Sequence, residues 1–587
     1  MFEATNEKRD DEFFEWCRKV GDGNPFFLHE LVKQWLETKQ RHTIPPSLMT
    51  VIRERFSRLS TDGTQLLQAC SVLGEQSTLP RVEMMLHQEP YMLLAALSEL
   101  SKASMLSPER KITSASGDFH LRPRHDLVST VALKELDPHA TAFLHRRAAE
   151  VLEAELGGEI QDTALLWACA KHWKKAGNEP EYMRRATQSA QQMIKVGLPQ
   201  EAAEKYCEIR QNCSNQEDSN LLLDKELFAL QAANNWRAVY ATLLPQYGAD
   251  VSSDTHDHRE LMYLLAMWRC IVDNDQIISR TLACIGASNS DPGHRLRAAA
   301  IGIKAASDLG NTPLMDEIFR PIADLLNGPL GSTVDAQEVA LVYHCVREDG
   351  SRVYELANNL ALAARVLDDP VRMGSALSNA AFANLLSGHT SEALALLTEA
   401  YDRMMELKLR ARAWHFGLEI VRVLLDLEDA AGARKWFDKF DNFNMICDNR
   451  GEFIRVSWVA LKLALAEGDL VEAEKRLKST LSMSETEQTL QWKCAMAALE
   501  VRFHVLRNDG DQLLRSAVER LGSYHDHFRE TGRHDYEAYS LYLGWRHLGD
   551  TNRARDVLAT YLKRRREVSP VPVHIKAALA AHNEPLT

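Results

Sequence analysis

The chain has 587 residues, 45% of them hydrophobic and 26% charged, which is a composition typical of globular proteins. It contains 28 glycines and 19 prolines, few enough to exclude collagen-like or long disordered segments and to favour helices over a turn-rich all-β structure. The net charge of −13 argues against a nucleic-acid binder that works through bulk positive charge.

Two helices are predicted over residues 1–43, separated by the break GDGNP at residues 21–25. Pro25 suits the first position of the second helix, because a backbone N–H would have no helical partner there. Residues 44–156 are predicted to form short helices and then a small hairpin around a Ser/Gly-rich turn, before helix resumes. Helices followed by a two-stranded wing are typical of a winged-helix domain.

The winged-helix prediction raises the question of DNA binding. Its presumptive recognition helix, residues 90–105, contains one Lys and no Arg, although phosphate contacts normally dominate the affinity for DNA. The basic residues that keep this alternative open lie in and after the wing: Arg110, Lys111, Arg122 and Arg124. The sequence therefore argues against DNA as a partner without removing it.

Residues 157–566 are predicted to be helical throughout and to repeat. Turn-like residues recur between Gly197 and Gly549 at a mean interval of about 39 residues, which leaves room for two helices of about 15 residues and their turns. A glycine permits the tight left-handed turn between the helices, and an alanine five residues later lets the second helix approach the first. The clearest units pair three such glycines with three alanines: Gly388 with Ala393, Gly468 with Ala473, and Gly549 with Ala554.

The predicted fold class is all-α. A winged-helix-like module with a small β-wing is followed by a long α–α superhelix of about ten hairpins that resembles tetratricopeptide repeats. Stacked hairpins bury one continuous core and leave a concave face, which suits a protein, a peptide or a small ligand. Pro570 and Pro572 break the last hairpin, so residues 567–587 are expected to form a tail or cap.

None of the common catalytic motifs occurs in the chain. The phosphate-binding motif GxxxxGK[ST] is absent, and so are HExxH, GxSxG and GxGxxG. The His-Asp-His segments at residues 256–258 and 525–527 offer too few convergent ligands for a zinc site, which needs three or four. We therefore expect this chain to be no enzyme and to hold no metal or cofactor of its own.

Cysteine usage and apolar runs bear on localisation. Ten cysteines are dispersed along the chain without a CxxC pair, as in proteins that keep their thiols reduced. The apolar runs fall short of the roughly 18 residues that a spanning helix needs, and the first residues lack an apolar signal core. We expect a cytoplasmic protein without membrane contact.

Several motifs occur in an order that resembles a known family. They are GDGNPFFLHELVKQWLE, IPPSLMTVIRERFSRLS, LLQACSVLGE, FHLRPRHDLVSTVAL and FLHRRAAEVLE. This succession resembles the carboxyl-terminal part of the STAND signalling ATPases, the AAA-like regulators of bacterial LuxR-type activators, adenylate cyclases and kinases. The resemblance assigns residues 1–43 to the ATPase lid, 44–156 to the winged helix and 157–566 to the solenoid. It covers residues 1–210 by motif and the remainder by repeat architecture.

The resemblance implies half of a nucleotide site. In the family, a G-x-P element of the lid lies near the adenine, and Gly23, Asn24 and Pro25 match it. A winged-helix histidine reaches the β-phosphate of ADP, and His125 matches it. Apart from the resemblance, Pro25 would simply begin a helix and His125 would be an ordinary residue at a helix N-terminus.

The family's catalytic elements would precede Met1. They are the phosphate-binding loop, the Mg-binding acidic strand and the sensor Arg. ATP or ADP is therefore expected only if an upstream or partner ATPase domain completes the site. A fragment, one half of a split receptor and a degenerate homologue are three explanations that the sequence leaves open.

The leading hypothesis is a non-catalytic signalling or scaffold protein, the sensor and protein-interaction half of a STAND-type regulator. Its solenoid would bind a protein, a peptide or a small ligand, and the lid and winged helix would relay occupancy to a separate ATPase or effector subunit. The alternative is an ATP-dependent transcriptional regulator that uses the winged helix. An enzyme with an unrecognised solenoid site is the third hypothesis, and no motif points to it.

Overall fold

The computed structural model describes residues 13, 15–18, 25–38, 45–110, 119–157, 162–248, 258–287, 290–347, 350–387, 389–441, 450–481, 490–530 and 537–568. The chain divides into two compact units, which are described separately: residues 1–194 with 205–215, and residues 195–204 with 216–587. The described residues are almost entirely helical, so the predicted all-α fold class is confirmed. None of the described helices is long and apolar enough to cross a membrane.

The first unit consists of helices and a two-stranded sheet. Its elements are α1 (Pro25–Thr38), α2 (Pro46–Phe56), α3 (Thr61–Leu73), α4 (Leu79–Leu86), α5 (Pro90–Lys102), β1 (Leu106–Arg110), β2 (Phe119–Pro123), α6 (Asp126–Lys134), α7 (Pro138–Ala154), α8 (Thr163–Lys175) and α9 (Glu179–Lys195). A further helix, α10 (Pro199–Gln211), contributes residues to both units. Proline stands at the first or second position of α1, α2, α4, α5 and α7, where its missing N–H breaks no hydrogen bond.

The sheet of the first unit lies where the sequence predicts a hairpin. β1 and β2 pair in antiparallel register, with Leu106 opposite Pro123. Leu106 and Leu121 are buried, and the N–H of Leu121 also donates to the carbonyl of Ser77 at 3.1 Å. The hairpin is thereby anchored to the helices before it. The assignment of residues 44–156 to the winged-helix class stays a prediction.

The second unit is a series of helical hairpins, and we name the first helix of each hairpin its A helix and the second its B helix. The A helices are α11 (Gln216–Ala232), α13 (His258–Arg269), α15 (Pro292–Asp308), α18 (Val334–Arg347), α20 (Pro370–Leu386), α22 (Arg410–Asp426), α24 (Arg450–Glu467), α26 (Leu490–Arg507) and α28 (Ala538–His547). The B helices are α12 (Trp236–Tyr247), α14 (Asn274–Gly286), α16 (Thr312–Phe319) with the short α17 (Ala323–Leu326), α19 (Gly350–Ala364), α21 (Thr390–Glu406), α23 (Ala430–Asp441), α25 (Leu470–Leu481), α27 (Asp511–Glu530) and α29 (Thr551–Val568).

The turn from A helix to B helix has one construction in many hairpins. At Gly468 the backbone is left-handed, with φ +75°, and the N–H of Asp469 donates to the carbonyl of Ala464 at 2.9 Å. The Asp469 carboxylate accepts from the N–H of Glu472 at 3.0 Å and so caps the B helix. The same pair, a left-handed residue followed by a capping Asp or Asn, occurs at Asn234-Asn235, Gly310-Asn311, Glu428-Asp429 and Gly549-Asp550.

The alanines predicted to permit close helix approach lie in the first turns of their B helices. Ala393 and Ala473 are fully buried, and Ala554 is nearly so. Gly388, the turn residue predicted before Ala393, lies outside the described residues. A small, buried residue thus recurs at the same place in the B helices of these hairpins.

The A helices line the inner side of the array. Each A helix from α13 to α26 packs against the A helix of the next hairpin, whereas among the described residues neighbouring B helices have little contact, as between α14 and α16. A row of hairpins that is packed closely along one edge and more loosely along the other curves toward the packed edge. The A helices therefore form the concave side of the second unit.

Hairpins that are far apart in the chain touch within the second unit. Arg412, near the start of α22, donates through Nη1 to Oδ1 of Asn234 at 3.2 Å, and its guanidinium lies 5.5 Å from the ring centre of Trp236. Nε2 of His527 lies 3.4 Å from the carbonyl oxygen of Leu309. In both cases four hairpins separate the two partners. The array therefore completes a turn of superhelix in about five hairpins, and successive turns are in contact.

Candidate functional site

A line of polar and aromatic residues runs along one face of the A helices. In α20, the residues Arg372, Ser375, Asn379 and Phe382 follow the spacing that places side chains on one side of a helix. The corresponding residues of other A helices are Arg297, Lys304 and Asp308 in α15, Asp335 and Glu338 in α18, Glu419, Arg422 and Asp426 in α22, and Arg455 and Lys462 in α24. We call this surface the A-helix face.

Asp335 is the centre of a first ionic cluster on the A-helix face. Its carboxylate accepts from Nε of Arg297 at 3.1 Å and also from Arg372. One carboxylate of α18 thus joins the A helices on either side of it, α15 and α20. Both arginine side chains are about one-third exposed, so this ion pair lies at the surface and not in the core.

Glu338, one turn further along α18, completes the first cluster. It accepts from Nζ of Lys304 at 3.0 Å and from Nδ2 of Asn379 at 2.8 Å. Burial by itself would raise the pKa of Glu338, but Lys304 together with Arg372 and Arg297 brings that pKa below its ordinary value. Glu338 therefore stays ionised and continues the line of alternating charges.

A second ionic cluster joins α22 to α24. Glu419 lies 2.8 Å from Nε of Arg422 and accepts from Nη1 of Arg455 at 3.2 Å. Asp426 pairs with Lys462 about two turns further along the same helices. The two clusters have the same composition, because in each of them three cations share two carboxylates.

Aromatic rings lie beside the cations of both clusters. The pairs are Lys304 with Trp268 at 5.4 Å, Arg422 with Phe382 at 5.2 Å, and Lys462 with Trp458 at 5.1 Å. These distances are typical of cation–π contacts. Phe382 is 39% exposed and belongs to α20, whose Arg372 and Asn379 bind the carboxylates of the first cluster. The ring therefore connects the two clusters and offers an apolar contact to a ligand.

This arrangement is suited to binding. The carboxylate of Glu338 is held ionised by neighbouring cations, which makes it a poor proton donor for acid catalysis. Within the part of the chain that the structure describes, no three His, Cys, Asp or Glu side chains converge as metal ligands. The A-helix face can hold a ligand through hydrogen bonds, ion pairs and ring contacts.

The residues predicted for a nucleotide half-site lie in the first unit. Gly23 and Asn24 fall outside the described residues. Pro25 is exposed and begins α1. His125 is half-buried with an extended backbone and directly precedes α6. The structure thus places Pro25 and His125 at the N-termini of two different helices, and the nucleotide role of all four residues stays a prediction.

Sequence reasoning missed the ionic clusters, although the sequence carries a signal for them. The paired residues are 34 to 38 positions apart in the chain. That separation is close to one repeat, because the partners occupy equivalent places on neighbouring A helices. Opposite charges one repeat apart would have predicted ion pairs between adjacent hairpins.

Comparisons with known proteins add structural neighbours of low similarity. No protein-family model and no curated protein sequence matches the chain. Among solved structures, it is similar to a STAND protein with a tetratricopeptide repeat sensor from Pyrococcus horikoshii, with 12% identity and a TM-score of 0.38 over 90% of this chain and 71% of that one.

Two further structures show similarity of the same order. The Rap protein complexed with competence and sporulation factor has 12% identity and a TM-score of 0.35, over 66% of this chain and 100% of that one. The Cut9–Hcn1 hetero-tetramer of APC/C has 11% identity and a TM-score of 0.39, over 86% and 95%. At these values the comparisons assign neither a family nor a function to the chain.

Proposed function

We propose that this chain is a non-catalytic signalling or scaffold protein whose A-helix face binds a segment of a protein or peptide partner. One observation carries the proposal: charged groups and rings that remain partly exposed follow one another over consecutive A helices, on the concave side of the second unit. A surface built from repeated helices is long, so it suits an extended segment. A small ligand is usually held in an enclosed pocket instead.

The ordering of the side chains on this face supports the proposal. Arg297 and Arg372 are held by Asp335, and Arg455 is held by Glu419, before any ligand arrives. A partner that binds such a surface needs to order few additional side chains, which reduces the entropic cost of association.

The finer proposal is that the chain is the sensor half of a STAND-type regulator in the cytoplasm. It rests on the order of the sequence motifs. ATP or ADP would bind only when a separate or upstream ATPase domain completes the half-site of Gly23, Asn24, Pro25 and His125. Signalling then requires that the solenoid's ligand bind two arrangements of the protein with different affinities.

The alternative, a transcriptional regulator acting through the winged helix, has less support. The presumptive recognition helix α5 exposes Tyr91 (68%) and Leu94 (61%), whereas its only basic residue, Lys102, lies in the last turn. Exposed apolar side chains favour contact with protein, and phosphates need Lys, Arg or N–H donors. We therefore favour a protein partner for this helix also.

Selection from a random dodecapeptide library against the purified chain tests the proposal. Peptides should be enriched, and Phe382→Ala should weaken their binding about tenfold, because exposed rings at the centre of an interface contribute strongly to affinity. Leu362→Ala is the matched control: Leu362 is 64% exposed on the B helix α19, so its loss should leave the affinity unchanged. Fluorescence anisotropy of labelled peptides gives Kd for each variant.

Two results would contradict the proposal. One is the absence of any enriched peptide. The other is an equal effect of Phe382→Ala and Leu362→Ala, which would place binding away from the A-helix face. Circular dichroism of both variants shows whether the helices are retained.

A further inference from the structure

We infer that the partner segment is acidic, a stretch of protein or peptide rich in Asp and Glu that lies along the A-helix face. This inference rests on the proposed function and adds the chemistry of the ligand. The evidence for an acidic ligand is the distribution of charge within the second unit, where the A helices are basic although the whole chain is acidic.

Basic residues are concentrated in the A helices. The eight A helices from α13 to α28 contain seventeen Arg and Lys against nine Asp and Glu, a net charge of +8. The B helices from α14 to α27 contain twelve Arg and Lys against seventeen Asp and Glu, a net charge of −5. The two ends of the array depart from this pattern, because α11 is acidic and α29 is basic. Within a chain of net charge −13, the A helices that form the concave side thus carry a net positive charge.

The two ionic clusters bring this excess to the surface. In each cluster three cations share two carboxylates, which leaves a net charge of +1, and Asp308, which accepts from Trp268, adds one further carboxylate to the A-helix face. The side chains concerned are between 13% and 31% exposed, so they are partly shielded from water and still accessible. A carboxylate of the ligand gains more from such partly desolvated cations than from fully exposed ones.

The carboxylates within the clusters favour a peptide over a nucleic acid. A nucleic acid carries a phosphate at every nucleotide, and some of these would face Asp335, Glu338, Glu419 or Asp426. A peptide offers acidic side chains to the cations and backbone N–H donors to the carboxylates. The mixture of charges on the A-helix face matches that alternation of groups.

The composition of the enriched peptides tests the inference directly. Peptides selected from the dodecapeptide library should contain more Asp and Glu, and fewer Lys and Arg, than the unselected library. A copy of the best peptide with Asn and Gln in place of Asp and Glu should bind about tenfold more weakly at low salt. The difference should shrink at high salt, where screening weakens the attraction between partly exposed charges. These substitutions leave the protein itself unchanged.

Protein variants place the effect on the A-helix face. The double substitution Arg297→Gln with Arg372→Gln should weaken the binding of the acidic peptide about fivefold or more and should leave the binding of its neutral copy unchanged. Arg403→Gln with Arg434→Gln is the matched control, because both arginines are ion-paired with glutamates but belong to the B helices α21 and α23. If the variant with Arg297→Gln and Arg372→Gln loses helix content, the inference is tested by comparing the acidic peptide with its neutral copy on the native chain.

Each other outcome has one meaning. Enriched peptides that depend on Phe382 but carry no acidic excess would overturn the inference and leave the proposed function standing. If none of the enriched peptides depends on Phe382 for binding, both the proposed function and the inference are contradicted. If labelled single-stranded DNA binds more tightly than the acidic peptide, the ligand is a nucleic acid and the inference is overturned.

Discussion

Two buried histidines of the first unit form a pair whose ionisation is coupled to folding. His145 of α7 and His172 of α8 are 3% and 7% exposed, and their Nδ1 atoms lie 2.8 Å apart, so one ring donates and the other accepts. Burial lowers the pKa of His145 to about 4, with a further contribution from Lys175. Burial lowers the pKa of His172 to about 3, and His145, Lys175 and Lys171 add to the shift.

This pair makes the first unit sensitive to acid. Between pH 6.5, the ordinary histidine value, and about 4 the unfolded chain binds protons that the folded chain does not. The free energy of unfolding is therefore highest above pH 6.5 and decreases as the solution becomes more acidic. The decrease is about 1.4 kcal/mol per pH unit for each proton that the unfolded chain binds and the folded chain does not. Replacing both rings, His145→Gln with His172→Gln, keeps hydrogen-bonding groups at the site and should flatten this dependence.

Thermal unfolding followed at several pH values between neutral and mildly acidic solution measures the slope. His139→Gln is the matched control, since this histidine lies at an exposed position of the same helix, α7, and is hydrated in the folded and unfolded chain alike. An unchanged slope in the double variant would mean that other groups cause the acid sensitivity.

At the scale of the element, the hairpin depends on a pair of residues at its turn. A left-handed residue ends the A helix, and the Asp or Asn after it caps the B helix, as in Gly468-Asp469. The glycine period contains only the first residue of this pair. When the capping residue is included, the irregular period of glycines becomes a two-residue pattern that marks each turn. The pattern also includes Glu428, a residue with φ +61° that occupies an equivalent turn before Asp429.

Asp469→Ala tests the role of the cap. The N–H of Glu472 then loses its acceptor, at a cost of about 1 kcal/mol to the start of α25. Amide hydrogens in the first turn of α25 should exchange about fivefold faster, because local opening becomes that much more frequent. Mass spectrometry of hydrogen exchange under native conditions measures the effect, with α29 in the same sample as the internal reference.

Asp469→Asn supplies the matched control for the cap. Its amide oxygen can accept the same hydrogen bond, so exchange in α25 should stay close to that of the native chain. Equal acceleration by Ala and Asn would attribute the effect to lost charge at the helix N-terminus and not to the hydrogen bond.

At the scale of the second unit, contacts between successive superhelical turns add to those between neighbouring hairpins. Arg412 is 2% exposed and reaches Asn234, a residue 178 positions away, beside the fully buried Trp236. A repeat array held only by nearest neighbours can open locally at any hairpin. Contacts between hairpins that are separated by four others couple the opening of one part of the array to that of another.

Arg412→Ala measures this coupling. Hydrogen exchange at residues 230–240 should become about tenfold faster, although the substitution lies far away in the chain, because Asn234 and Trp236 lose a buried partner. Arg403→Ala is the control, since Arg403 is half-exposed on α21 and pairs only locally with Glu406 among the contacts described. Unchanged exchange at residues 230–240 would show that the hairpins there are stable without the second superhelical turn.

The hairpin architecture could be predicted from the sequence because its causes are local. Glycines such as Gly468 permit the left-handed turn, and alanines such as Ala473 fill the crossing of two helices within one hairpin. These constraints act over fewer than ten residues and recur with the repeat, so they leave a visible period. The all-α class and the succession of hairpins follow from that period alone.

The candidate site needed the tertiary structure. Asp335 and Arg372 are unremarkable as single residues, and only the stacking of α18 on α20 makes them partners. Their separation of one repeat carried a signal, but the sequence does not say which side of each helix faces the concave surface. That orientation is set by the packing of A helix on A helix.

The order of residues along the chain is enough to establish that it is helical, that it repeats and that its clearest turns are built on glycine. The placement of the basic A helices on the concave side, and the return of the array to contact itself after about five hairpins, depend on how the hairpins stack in three dimensions. The reason is physical. A turn or a cap depends on neighbours in the chain, whereas the curvature of a superhelix is the sum of small rotations at every hairpin interface, and no short segment of sequence specifies that sum.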